Sequence, residues 1–231
     1  DVRWLVGYVD EHEPVHQHLY LDPARQHAAT GEALALPVRL WRVRCDEPSG
    51  EATPCLEFGS AREEELDLLA EEIARTRPAC YVDALDLSRE RFALTDTVEA
   101  WRAAGLERER HVLVARREGV ALAALVLERG PEGVNLRRLL DTARLFPLAP
   151  EGHDAFVALL DEARSWYASR GLSSFVLVTE ADEEGALALA RLREGPGASH
   201  LWMVSTHLLP EFLEHVSEAT VGHLPSSAPM T

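Results

Sequence analysis

The order of apolar runs between residues 111 and 208 constrains the fold more than any other feature of the chain. HVLVARR at 111–117 meets VALAALVLE at 120–128 across a Glu118–Gly119 turn, and a Gly-Pro-Glu-Gly turn at 130–133 leads to VNLRRLL at 134–140. Short β-branched runs joined by turn residues predict an antiparallel meander. A helical period follows, because Phe156, Leu159, Leu160, Ala163 and Tyr167 share one face of 154–170, with Asp154 near its start and Gly171 past its end. SSFVLVT at 173–179 predicts a buried strand, 182–193 an Ala/Leu-rich helix, and HLWMVSTHL at 200–208 a last strand. A meander followed by alternating helices and strands predicts an α/β chain with a mixed sheet flanked by helices.

Upstream, 3–9, 15–21 and 38–44 are aromatic and β-branched runs, and they predict a small N-terminal β module over residues 1–50. The polar DEPSGEATP segment at 46–54 marks a domain boundary, with the main domain expected over 54–216. Within it, 55–58 reads as a short strand. Leu66, Leu69, Ala70 and Ile73 place one apolar face on a helix over 62–76 that ends before Pro78. Asp96 and Glu99 form a capping pair and Gly105 a left-handed stop, which predicts a second helix over 97–104. The Ser-, Pro- and Gly-bearing stretch 217–231 is expected to be a disordered tail.

Charge narrows the partners. A net charge of −16 repels phosphate backbones and anionic lipid, so neither nucleic acid nor a membrane surface is expected as a partner. No run approaches the roughly 18 apolar residues of a membrane helix, and the expected home is a reducing cytoplasm. Cys45, Cys55 and Cys80 are odd in number and lack Cys-x-x-Cys spacing. All 23 basic residues are Arg and none is Lys, a bias expected of a GC-rich bacterial genome. The chain starts at Asp1, which leaves room for an upstream domain in a larger protein.

From about residue 54 to residue 208 the order strand, helix, helix, meander, helix, strand, helix, strand resembles the GNAT superfamily of acyl-CoA-dependent N-acyltransferases. VLVARREGVALAALVLERG at 112–130 carries the resemblance best, being similar to that family's second and third strands with their charged turn. The resemblance implies acetyl- or acyl-CoA as cosubstrate, no metal, and a small-molecule or protein amine as acceptor. In that family the meander runs into an Arg/Gln-x-x-Gly-x-Gly/Ala loop whose backbone amides and following helix bind pyrophosphate. The equivalent DTARLFPLAPEGHDAF at 141–156 lacks the motif. Gly152 and His153 at the helix start are the candidate cofactor-binding residues left, with Glu151 and Asp154 adding negative charge beside them.

Family members also place a Tyr in the helix before the last strand as general acid, and ADEEGALALARLR at 181–193 holds none. Glu128 on the meander is a candidate base or a solvated strand end. No catalytic residue is assigned. The expectation is an acyl-CoA-dependent N-acyltransferase domain degenerate in its cofactor loop, the alternative being a non-catalytic module that binds a ligand or a protein partner. Arg137, Arg138 and Arg144 flank the expected cleft as anion binders or as an exposed strand face.

Three further patterns have bland readings. His12-Glu13-Pro14-Val15-His16 matches the H-E-x-x-H string of zinc peptidases, yet Pro14 prevents Glu13 from being helical and leaves His12 outside any helix that starts there. If 15–21 is a strand, His16 and His18 share a face on which His12 or Asp22 completes a His/carboxylate site; an exposed polar face is the simpler reading. REEELDLLAEE at 62–72 reads as a solvated helix face or a dock for a basic partner, and Trp41 and Trp202 as sheet-packing residues.

Overall fold

The computed structural model describes residues 3–10, 12–47, 55–92, 99, 101–131, 140–180 and 194–222. Eight strands form one sheet: β1 (Trp4–Asp10), β2 (Ala33–Arg44), β3 (Glu57–Ser60), β4 (Glu109–Arg117), β5 (Val120–Arg129), β6 (Thr142–Pro147), β7 (Ser174–Glu180) and β8 (Glu194–Ser205). Their spatial order is β1-β8-β2-β7-β6-β5-β4-β3. Every neighbouring pair is antiparallel except β6 and β7, which are parallel. The β4–β5 hairpin turns at Glu118 (φ 52°) and Gly119 (φ 79°), and two consecutive positive φ values match the right-handed twist of its strands.

The meander is present, with one correction. Its third strand is TARLFP at 142–147, inside the stretch expected to be the cofactor loop, while 132–139 lie outside the described residues. The sequence pattern hid this strand because Arg144 interrupts the apolar run and Pro147 ends it. The loop between meander and helix is therefore only 148–155.

A second correction falls on 15–21, expected as a strand. Pro14 starts a helical stretch made of α1 (Pro14–His16), a π-helical turn (Gln17–Leu21) and α2 (Asp22–His27). A fixed proline φ suits the first helical position. The turn brings Leu21 and Ala24 to one side, where both are fully buried in a cluster with Trp202 and Phe212.

Side chains alternate across the sheet and give it two apolar faces. On one, α5 (Phe156–Ala168) packs Phe156, Leu159, Leu160, Ala163 and Tyr167 onto Leu125, Leu127, Ala143, Leu145 and Leu177. On the other, α3 (Glu63–Thr76) and α4 (Ala79–Ala84) lay Leu69, Ile73 and Tyr81 over Val112, Val126, Phe146 and Val178. The N-terminus of α3 is tied down by Glu65, which accepts from the Arg62 amide at 2.7 Å and from Arg116 Nε at 2.5 Å. Glu65 is thus buried and paired, not part of a solvated face.

The N-terminal residues supply two strands, and both lie in the common sheet. β2 sits between β7 and β8, pairing with each of them, and β1 closes the far side of β8. α6 (Leu209–Gly222) follows β8 and runs into the stretch expected to be a disordered tail from Ser217. Of the helix predicted at 97–104, residues 99 and 101–103 are helical and Gly105 follows in the left-handed conformation at φ 73°, whereas the helix predicted at 182–193 lies outside the described residues.

Candidate functional site

The sheet opens at one place. β6 and β7 pair through Thr142 with Val176, Ala143 with Leu177 and Arg144 with Val178, and there the pairing stops. Both strands continue, because β5 still pairs with Leu145, Phe146 and Pro147, and β2 still pairs with Thr179 and Glu180. Only the edges that face each other part, so no ladder joins Leu145–Pro147 to Thr179–Glu180. On the α4 side the opening narrows to a cavity of about 10 Å³, room for one water-sized group. Tyr81, Arg144, Phe146, Glu180 and Arg77 line it, and Arg77 Nε meets Glu180 Oε1 at 2.5 Å.

The loop beyond β6 is built for packing. The amides of Leu148 and Ala149 both donate to the Leu122 carbonyl, at 2.8 and 3.0 Å, and the Gly152 amide donates to the Ala149 carbonyl at 2.9 Å. Residues Pro150–Ala155 form a 3-10 helix that hands its bonds on to Phe156. Gly152 is buried, and a Cβ there would stand 2.4 Å from the Leu122 carbonyl oxygen and 3.1 Å from Pro147 Cα. The Cβ side of this glycine is filled by the protein's own backbone. His153 is half-buried with its ring edge-on to Phe156, centroids 5.0 Å apart, while Glu151 and Asp154 are exposed beside it. Three loop amides are engaged within the protein, the Cβ side of Gly152 is closed, and two exposed carboxylates flank the helix start, all of which disfavour a diphosphate there.

Glu128 lies in a network of buried charge. It accepts from Arg110 Nε at 2.9 Å and Arg108 Nη2 at 3.2 Å, and Arg108 Nη1 reaches Asp86 at 3.0 Å. Burial alone would push the Glu128 carboxyl up, but Arg110, Arg108 and Arg144 together hold it down at about 2. It is a fixed anion, and a base must have a pKa near the working pH. Tyr167 places its hydroxyl 2.7 Å from the Thr142 carbonyl and 2.9 Å from the Glu128 carbonyl, so α5 pins β5 and β6 together at the closed end of the β6–β7 pairing.

Arg144 belongs to the α3/α4 face and is only 6% exposed. Its Nη1 donates to Thr142 Oγ1 at 2.9 Å and its Nη2 to the Tyr8 hydroxyl at 2.8 Å, while Nε has no hydrogen-bond partner among the described residues. Tyr8 arrives from β1, at the other end of the sheet. Burial holds both nearby phenols protonated, raising Tyr8 and pushing Tyr81 up to about 12. Sequence reasoning named Arg144 but missed Tyr8 and Tyr81, because nothing local signals a partner 136 residues away.

The remaining candidates separate. His12 lies outside the helix that Pro14 starts, and Glu13 is extended at φ −90° and ψ 106°, as the proline requires. His16 and His18 sit on helical turns, not on a strand face, and among the described residues no group of three His, Cys, Asp or Glu is placed to hold a metal. Trp41 donates to Thr179 Oγ1 at 2.9 Å and Trp202 to the Tyr20 carbonyl at 2.9 Å, both as packing residues. Arg137 and Arg138 lie outside the described residues. No described helix is long and apolar enough to cross a membrane.

The order β3, α3, antiparallel meander, α5, parallel β7 and β8 defines a GNAT-like mixed sheet flanked by helices. No protein-family model matches the chain, and no curated protein matches its sequence. Solved structures similar to it include a Drosophila protein, with 11% identity over 80% of this chain and 57% of that one and a TM-score of 0.48. A GCN5-related N-acetyltransferase from Kribbella flavida shares 15% identity over 90% of this chain and 71% of that one, at a TM-score of 0.45. The PaiA N-acetyltransferase of Thermoplasma acidophilum, solved with coenzyme A, shares 16% over 65% of this chain and 98% of that one, at 0.37.

Proposed function

We propose that this chain is a GNAT-like ligand-binding domain whose ligand enters the opening between β6 and β7 and does not rest on the start of α5. The observation that supports this most directly is the 2.4 Å separation between a Cβ at Gly152 and the Leu122 carbonyl, since it makes this glycine a close backbone contact within the fold. Acyl-CoA-dependent N-acyl transfer to an amine is the second reading, and the parallel pair that ends at Arg144 and Val178 favours it. In that reading the free edges of Leu145–Pro147 and Thr179–Glu180 hold the amide-bearing arm of the cosubstrate by strand addition.

Thermal unfolding with acetyl-CoA and longer acyl-CoA thioesters separates the two. A ligand at 100 times its dissociation constant adds about 2.7 kcal/mol to the folded state. No shift is expected with any thioester. A saturable shift, together with acetylation of an offered amine, would overturn the binding-domain reading and establish the transferase.

A further inference from the structure

Arg144 is the most unusual group in this interior. Arg108, Arg110 and Arg144 all act on Glu128, which bonds directly to the first two, while Asp86 pairs with Arg108 and Arg91. Among the described residues Arg144 has the hydroxyls of Thr142 and Tyr8 as its hydrogen-bond acceptors, and its Nε has none. A guanidinium is always charged and carries five donors, so Arg144, bonded directly to neutral hydroxyls and with Glu128 only as a through-space counter-charge, keeps an N–H that a bound oxygen could accept from. The cavity it lines has room for one small group, and that cavity lies where β6 and β7 part.

We propose that Arg144 anchors a carboxylate-binding site in this opening, with one carboxylate oxygen in the cavity against Arg144 and the Tyr81 hydroxyl donating from α4. The proposal rests on the reading that ligands enter between β6 and β7, and it names the ligand class: a small organic acid or the carboxylate end of an amino acid. A planar guanidinium matches a carboxylate better than a point cation does. The outer wall of the cavity is already an Arg–carboxylate pair, Arg77 with Glu180, side chains 14% and 19% exposed. An entering carboxylate displaces Glu180 outward and exchanges one carboxylate for another, so no charge is left stranded. Chain segments far apart in sequence build the site, since Tyr8 comes from β1, Arg144 from β6 and Tyr81 from α4.

The test is thermal unfolding of the whole chain with sodium acetate, succinate and glycine, against sodium chloride at equal ionic strength, and separately with acetyl-CoA. A saturable rise in melting temperature with at least one carboxylate and none with chloride is expected. Arg144→Met should weaken that response at least tenfold. Tyr81→Phe, which keeps the aromatic packing, should weaken it severalfold while melting like the parent, and it decides the matter if Arg144→Met does not fold. Equal shifts with chloride, or a carboxylate response unchanged in Tyr81→Phe and Arg144→Met, would overturn the site. An acetyl-CoA shift without a carboxylate shift would also overturn it while keeping the opening as a binding place; silence from both would remove the opening too.

Discussion

Gly152→Ala tests whether the helix start is a packing joint or a ligand cradle. The added methyl would lie 2.4 Å from the Leu122 carbonyl oxygen and 3.1 Å from Pro147 Cα and Cβ, with backbone on both sides. Neither neighbour can swing aside, because Leu122 O also accepts from Leu148 and Ala149 and Pro147 is paired into β6. Overpacking of this kind costs about 1–3 kcal/mol. Replacing glycine returns roughly 0.5–1 kcal/mol of backbone entropy, so the net loss should be about 1–2 kcal/mol. For a chain of this length that lowers the melting temperature by about 2–8 °C. Calorimetry or circular dichroism melts read it directly, and urea unfolding gives the free energy. A variant that melts at or above the parent temperature, while an acyl-CoA response present in the parent disappears, would refute the packing argument and return Gly152 to the cofactor.

Three other outcomes follow from the same contacts. Glu128 has its pKa depressed from 4.5 to about 2, so its contribution is complete above pH 4.5 and is lost as the pH falls through 2; that contribution is of order 3 kcal/mol. Glu128→Gln should flatten acid unfolding in that window and, by stranding Arg110, cost about 3–5 kcal/mol at pH 7, as urea unfolding would show. Tyr167→Phe leaves the Thr142 and Glu128 carbonyls without their shared donor and should cost about 1–3 kcal/mol in the same assay, with the stacking on Phe175 retained. A chain starting at residue 54 loses β1 and β2, which pair with β8 and β7 and carry the buried Val38, Leu40, Trp41 and Val43, so it should fail to give a cooperative melt; a sharp transition would show that 54–222 folds alone.

Most elements were legible because they are amphipathic over their own length. The apolar stripe of α3 and the alternation in β4, β5 and β7 are local, and local periodicity reports them. β6 was misplaced because its buried polar residues, Thr142 and Arg144, make sense only against Tyr8 and Tyr167, which the chain brings up from elsewhere. The helical turn at 15–21 was misread because β-branched and aromatic composition outweighed the one strong signal, Pro14. Glu65 looked like one more glutamate on a solvated face until Arg116, 51 residues on, supplied its partner. Gly152 was visible as a glycine at a helix start, a position that serves a phosphate or a close backbone contact equally well; only the distance to Leu122 separates them.

The buried charges divide by purpose. Removing Glu128 strands guanidiniums that already have their places in the fold, which is why its loss is expected to be costly. Arg144 stands differently, because its strand neighbours in register are Val126 and Val178, its direct bonds go to hydroxyls, and Glu128 acts on it only through space. Burying an unpaired guanidinium costs several kcal/mol, and an apolar side chain of similar volume would fill the position at less expense. Arg144→Met should therefore unfold within about 1 kcal/mol of the parent or above it, the lost Thr142 and Tyr8 bonds being offset by the charge no longer buried. Two substitutions in one network, one expected to be costly and the other near neutral or stabilising, distinguish a charge that holds the fold from one kept for something the fold receives. A loss at Arg144→Met as large as that at Glu128→Gln would make Arg144 a structural ion and remove the reason for seeking its anion outside the chain.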